Sequence, residues 1–111
     1  MRIVEWSGAW QSPLPGNEAS YAEHLRTPDL SLGTYRIVAG GVDGQRPHTE
    51  DEVYVVVSGR ARIVTPTGNA DVGPGSVIFV PAGEEHRFVD ITEDLTLIVV
   101  FGPAEGARSP A

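Results

Sequence analysis

From Leu30 to Phe101 the chain is a succession of short apolar runs, "LSLGTYRIVA", "EVYVVV", "RARIVT", "SVIFV", "HRFVDI" and "LTLIVVF", separated by Gly, Pro, Asn and Asp. Runs this short and this rich in Val and Ile are strands rather than helices, because β-branched side chains fit a pleated surface and the intervening residues are turn formers. The segments "SGR", "PTGN" and "VGPGS" read as the corners between them. A chain of 111 residues supplies one hydrophobic core, not two. The expected fold class is therefore all-β, an antiparallel sandwich or barrel with scarce helix. Side chains alternate across a strand, so Glu52, Tyr54 and Val56 share one face and Val53, Val55 and Val57 the other. A strand that is apolar on both faces yet begins on acids is expected where one face looks into an enclosed cavity. Taken alone, Glu52 reads equally well as the solvated first residue of its strand.

The flanks are less regular. Residues 1–29 form an N-terminal arm in which "IVEW" suggests a short strand, "PLPGN" a turn and "NEASYAEHLR" one or two helical turns begun by Asn17. The barrel is expected over residues 30–103. The segment 104–111 has nothing to bury and is expected to be a flexible tail. No apolar run approaches the ~20 residues of a membrane span, and "MRIVEWSGAW" lacks the apolar centre of a secretion signal. A cytoplasmic protein without a membrane partner is expected.

Composition narrows the chemistry. There is no Cys, which excludes disulfides, thiolate nucleophiles and zinc–thiolate sites. All eight cationic side chains are Arg, so Schiff-base chemistry on a lysine amine is excluded as well. A formal charge of −7 argues against nucleic acid, which requires a basic surface. Any metal must be held by carboxylates, water and the three histidines, His24, His48 and His86.

Two stretches place those histidines. In "GSVIFVPAGEEHRFVD", residues 75–90, Gly75 opens a strand, Pro81 ends it, Gly83 permits a tight turn and His86 leads into the next strand. In "QRPHTEDEVYVVVSG", residues 45–59, His48 precedes Glu52 and Gly59. Together they resemble the paired motifs of the cupin family. Gly75, Pro81, Gly83 and His86 match the second motif, G-x5-P-x-G-x2-H-x3-N, with Asp90 where Asn is usual. Gly40, His48, Glu52 and Gly59 match the first, G-x5-H-x-H-x3-E-x6-G, with Arg46 where its first histidine stands.

The resemblance covers roughly Leu30 to Pro103. It implies a cupin-type double-stranded β-helix, or jelly-roll barrel, in which His48, Glu52 and His86 converge on one divalent transition metal ion, Fe, Mn, Ni or Zn. Glu52 and Tyr54 are then the catalytic candidates, and Arg46, Tyr54 and Phe88 the substrate-binding ones. An inward Arg46 would hold a carboxylate bidentately, although its charge would oppose a cation beside it; the alternative is an outward Arg46 paired with Asp43 or Asp51. Glu50 and His24 are the reserve ligands, with surface exposure the expected state of each. Phe79 is expected to be ordinary packing. The implied function is a small metal-dependent enzyme of dioxygenase or isomerase type acting on a small organic acid or oxygen-rich metabolite. The alternative is a non-catalytic binding or sensing module using the same pocket, with or without metal; in a metal-free pocket His48 and His86 would hydrogen-bond to Glu52. A homodimer is expected, with the "IVEW" segment covering a neighbour's strand edge.

Overall fold

The computed structural model describes residues 1–109, which contain six strands and no helix. These are β1 (Ala19–Arg26), β2 (Ser31–Ile37), β3 (Asp51–Thr65), β4 (Gly68–Val72), β5 (Val77–Val80) and β6 (Arg87–Gly102). All pairing is antiparallel, along the path β1-β2-β6-β3-β4, with β5 also on β3. The all-β, antiparallel fold class expected from the sequence is thus the one observed. No helix among the described residues is long and apolar enough to cross a membrane.

The sheet is organised on its two long strands, β3 and β6. β3 and β6 pair from Asp51↔Gly102 to Val56↔Leu97, slip at Val56/Ser58, Ser58/Arg60 and Arg60/Arg62, and resume as Arg62↔Val89 to Val64↔Arg87. Such slips are bulges that bend a ribbon and increase its twist. The first half of β3 is consequently flanked by β5 and the second by β4. This corrects the sequence reading: "EVYVVV" and "RARIVT" are one strand, as are "HRFVDI" and "LTLIVVF", and "SGR" is a bend rather than a hairpin corner. "PTGN" and "VGPGS" do turn the chain. At the bend Gly59 has φ +91°, and a Cβ there would press on the Asp94 carbonyl and lie 2.7 Å from Leu95 Cα. Gly59→Ala should therefore destabilise the protein by about 2–4 kcal/mol, from left-handed strain together with backbone displacement. Urea unfolding measures this, and an unchanged midpoint would show that the bend tolerates a side chain.

Two expectations at the flanks are overturned. Residues 19–26 form a strand, not helical turns, because the edge of β2 offers a complete ladder from Ala19↔Ile37 to Arg26↔Ser31, and pairing overrides weak local preference. Gly33 of β2, inside that ladder, leaves the space in which the Tyr21 ring lies. "IVEW" runs into a turn, with Trp6 at φ 64°, rather than forming a strand. Its continuation rests on its own barrel, Gly8 N donating to Thr34 Oγ1 (3.2 Å) and Arg36 Nε to the Ala9 carbonyl (2.8 Å). The "PLPGN" turn is closed by Asn17 N donating to the Leu14 carbonyl (2.9 Å).

The tail differs as well. Ala104 is buried, and Gly106 N and Arg108 N donate to the Glu50 carboxylate at 2.7 and 3.0 Å. Residues 110 and 111 of the expected flexible tail lie outside the described residues. The core fills the inner face with Ile37, Val56, Phe88, Leu95, Leu97 and Phe101, the alternate positions of their strands.

Candidate functional site

The period of β3 turns Glu52 and Tyr54 inward, where they are 2% and 1% exposed. Across the sheet, Glu52 pairs in register with Val80, one residue before Pro81 ends β5. Gly83, in the turn that follows, donates its N–H to the His48 carbonyl at 2.8 Å, tying the two motif segments together. His86 emerges from that turn, 5% exposed, immediately before β6.

The three sequence-selected ligands do meet. One ligand atom from each of His48, Glu52 and His86 lies within 4.8 Å of the others. His86 Nε2 is 2.8 Å from Glu52 Oε1 and 2.9 Å from the Tyr54 hydroxyl, while its Nδ1 is 2.9 Å from the Glu84 carbonyl. A carbonyl can only accept, so Nδ1 carries a proton and, in the neutral ring, Nε2 presents its lone pair to the site. The 2.8 Å approach to Glu52 has the length of a hydrogen bond but not its direction. Both Glu52 oxygens are buried without a hydrogen-bond partner. Burial acts to lower the His86 pKa, but its contacts with Glu52 and the Glu84 carbonyl and the charges of Glu52 and Asp43 outweigh burial and raise it. His48 is half-buried, its ring edge-on to Phe101 at 4.8 Å, with Nδ1 at 3.5 Å from Glu105 Oε2 and Nε2 at 3.3 Å from Gln45 Oε1. This group could bind a metal ion.

The cluster opens on a cavity of about 130 Å³, below the ~300–1,000 Å³ typical of pockets for drug-sized ligands. Tyr21, Tyr35, Gln45 and Glu105 form its polar wall, and Val99 and Phe101 its apolar side. Two of the substrate-binding candidates, Arg46 and Phe88, do not line this cavity. Arg46 is exposed and lines a wider outer cleft of about 530 Å³ with Glu85, His86 and Arg87, while the preceding residue, Gln45, borders both that cleft and the cavity. Phe88 is core rather than lining: it lies behind Tyr54, the rings perpendicular with centroids 5.1 Å apart. Tyr54 does line the cavity, and its hydroxyl donates to Gln45 Oε1 at 3.0 Å. Phe79 is 62% exposed on the outer face.

The reserve ligands are placed elsewhere. His24 Nε2 contacts Thr34 Oγ1 at 2.7 Å, away from the cluster. Glu50 is 1% exposed rather than on the surface, and faces the tail. Burial acts to raise its pKa, but bonds from the Thr49 hydroxyl and the Gly106 and Arg108 amides, with the charge of His48, prevail and lower it.

Asp43 was missed as a site residue. It is 5% exposed and accepts from the Tyr35 hydroxyl (2.7 Å), Gln45 N (3.2 Å), Gln45 Nε2 (2.9 Å) and Phe88 N (2.9 Å). Its bond to the amide two residues on is an Asx turn, and "VDGQRP" carried that local signal.

The tyrosines yield a pH expectation. Burial foremost, then the charges of Asp43 at Tyr35 and Glu52 at Tyr54, raise both phenol pKa values, as burial and Glu105 do for the more exposed Tyr21. A folded pKa above the unfolded value of about 10 adds stability that is complete below pH ~10 and is lost as pH rises towards the folded pKa. Phenolate absorbance should thus appear first from Tyr21, and from Tyr35 and Tyr54 only on alkaline unfolding. Ionisation of all three near pH 10 in folded protein would contradict the burial.

A cupin-domain family model matches residues 33–101. An uncharacterized protein of Streptomyces coelicolor is 48% identical over 89 residues, covering 80% of this chain and 85% of its own. Among solved structures, KdgF from Halomonas sp. has a TM-score of 0.71 at 24% identity, covering 85% of this chain and 84% of that one. DMSP lyase DddQ from Ruegeria pomeroyi has a TM-score of 0.73 at 16% identity, covering 99% of this chain and 57% of that one. These likenesses to solved structures show the fold.

Proposed function

The chain belongs to the cupin family, and from that premise we propose that His48, Glu52 and His86 hold one divalent transition ion, Fe, Mn, Ni or Zn, in a site for a small oxygen-rich metabolite. The observation that carries this is the Glu52 carboxylate, buried with neither oxygen hydrogen-bonded while two imidazoles converge on it. A buried carboxylate without partners is strongly destabilising, and a cation among three such donors relieves it. Two histidines and one carboxylate leave coordination positions open. An ion bound there would supply Lewis-acid polarisation of substrate oxygens or dioxygen chemistry.

The surrounding residues set the substrate class. No Arg lines the cavity, and a divalent ion would offset the charges of Glu52 and Glu105, so an oxygen-bearing molecule would be held by the ion and the cavity's hydrogen-bonding groups rather than by Arg46. Tyr54 keeps its proton because burial and Glu52 raise its pKa, which makes it a hydrogen-bond donor rather than a base. Gln45, held by Asp43, orients that hydroxyl. The reaction class is isomerisation or oxygenation of such a metabolite.

A second reading, a metal-free binding module, is favoured by the contacts of His86 Nε2 with both Glu52 and Tyr54, in which a proton takes the cation's place. Elemental analysis of untagged protein expressed with Fe, Mn, Ni and Zn separates the two. One equivalent per chain is expected; retention of none would sink the metal reading and leave the module.

The homodimer is proposed on the outer face rather than through the arm. Val53↔Phe79 and Val55↔Val77 are cross-strand pairs, with Val77 68% and Phe79 62% exposed. Light scattering should give a dimer for the full chain and a monomer for Phe79→Asp. A monomeric full chain at micromolar concentration would remove the proposal.

A further inference from the structure

Outside the cavity, the cleft of about 530 Å³ falls within the ~300–1,000 Å³ range of small-molecule pockets, which the inner cavity does not reach. Arg46 and Arg87 border it from different parts of the chain. Elsewhere Arg26 and Arg62 pair with Glu23 and Asp71, and Arg2 and Arg36 donate to main-chain carbonyls. The guanidinium groups of Arg46 and Arg87 make neither kind of contact among the described residues. Arg60 and Arg108 also lack such contacts, but neither borders this cleft.

The backbone that carries each of the two is fixed. Asp43 accepts from Gln45 N at 3.2 Å and from Phe88 N at 2.9 Å, which ties the segment before Arg46 to the residue after Arg87. Gly83 N donates to the His48 carbonyl at 2.8 Å, which ties the segment after Arg46 to the turn before β6. Pro47 disfavours the helical conformation at Arg46 and leaves it extended. On β6, Arg87 pairs with Val64 of β3, so both side chains lie on the outer face, opposite the buried Phe88.

The charges around the cleft do not balance. Among the described residues Glu85 is the one carboxylate that borders it, so two fixed positive charges face one negative charge in a chain of net charge −7. His86 meets the cleft through its main chain, because its side chain is fully buried. Pro47, Val64 and Pro66 supply an apolar wall. Each guanidinium can present paired donors to the oxygens of a carboxylate or phosphate, and two on one concave surface add their fields.

We propose that the outer cleft binds a small organic oxyanion, its carboxylate or phosphate held by Arg46 and Arg87 and its apolar body against the two prolines and Val64. The site meets the inner cavity only at Gln45 and requires no metal ion.

The test titrates phenyl phosphate, benzoate and uncharged benzyl alcohol into the metal-free, ¹⁵N-labelled full chain at constant ionic strength, so that neither metal coordination nor screening contributes. Correlation spectra should show saturable shifts at the Arg46 and Arg87 Nε–H groups and at the amides of Thr65, Glu85 and Arg87 with both anions, and none with the alcohol. Arg46→Gln and Arg87→Gln should each weaken anion binding by about 10-fold or more, the loss of a charge-assisted contact. Arg108→Gln removes the same charge away from the cleft and should leave affinity within about twofold. Tighter phenyl phosphate would name a phosphate ester, and tighter benzoate a carboxylic acid; both support the site. Absence of saturation by either anion at millimolar concentrations, equal binding of benzyl alcohol, cleft variants within about twofold of the parent, or an equal loss in Arg108→Gln would each overturn it.

Discussion

In His86→Ala, affinity for a divalent transition ion should fall by at least about 100-fold. Loss of a residue that merely supports a ligand lowers affinity about 10–100-fold, and loss of the ligand itself should do no less. Glu52→Gln should weaken binding comparably, since the buried anionic oxygens are what draw the cation. The two variants then part company in stability. Glu52 has neither carboxylate oxygen hydrogen-bonded, so above the raised pKa of His86, where that ring is neutral, metal-free Glu52→Gln should be at least as stable as the metal-free parent; below it the variant loses the His86–Glu52 ion pair. Only the parent should gain from metal, by about 2.7 kcal/mol at an ion concentration 100 times the dissociation constant. Because the folded pKa of His86 is raised, proton and metal compete at Nε2, and affinity should weaken as pH falls through that raised value. Thermal unfolding with and without metal, and calorimetry across pH, test this. Above the His86 pKa, a metal-free Glu52→Gln less stable than its parent would identify Glu52 as a structural acceptor rather than a ligand.

Asp43→Ala should destabilise the protein by about 3–5 kcal/mol, more than truncation of an ordinary surface aspartate. The carboxylate gathers the Tyr35 hydroxyl, two Gln45 donors and the Phe88 amide. Its removal leaves a buried N–H and a half-buried hydroxyl without an acceptor. It also frees Gln45, and with it the Tyr54 hydroxyl. Asp43→Asn retains one acceptor oxygen and should fall between the two. Chemical unfolding measures the loss; a change within about 0.5 kcal/mol would show that water replaces the carboxylate.

The convergence of the three candidate ligands was legible because it depends on local rules. Two-residue alternation sends Glu52, Tyr54 and Val56 to one face wherever the strand lies, and Pro81 and Gly83 place His86 at the end of a tight turn. The strands carry their own signal in β-branched runs, so the all-β class followed from the chain alone. Even the slip between Arg46 and Gln45 is only one residue, yet it exchanges a fixed cation for an amide in the cavity.

What the tertiary structure decided are the features settled by partners far away in the chain. Gln45, not Arg46, faces inward because Asp43 is anchored to Phe88, forty-five residues on. Glu50 is buried because its acceptors meet amides at Gly106 and Arg108, fifty-six and fifty-eight residues on. Residues 19–26 become a strand because β2 presents a free edge, and the bend at Gly59 joins two apparent strands because β6 bends with it. Local propensity differs by tenths of a kcal/mol between such alternatives, whereas pairing a buried polar group or completing a ladder is worth about a kcal/mol or more per contact. The sequence therefore determined which side chains can ligate a metal, and the assembled barrel determined which groups surround them.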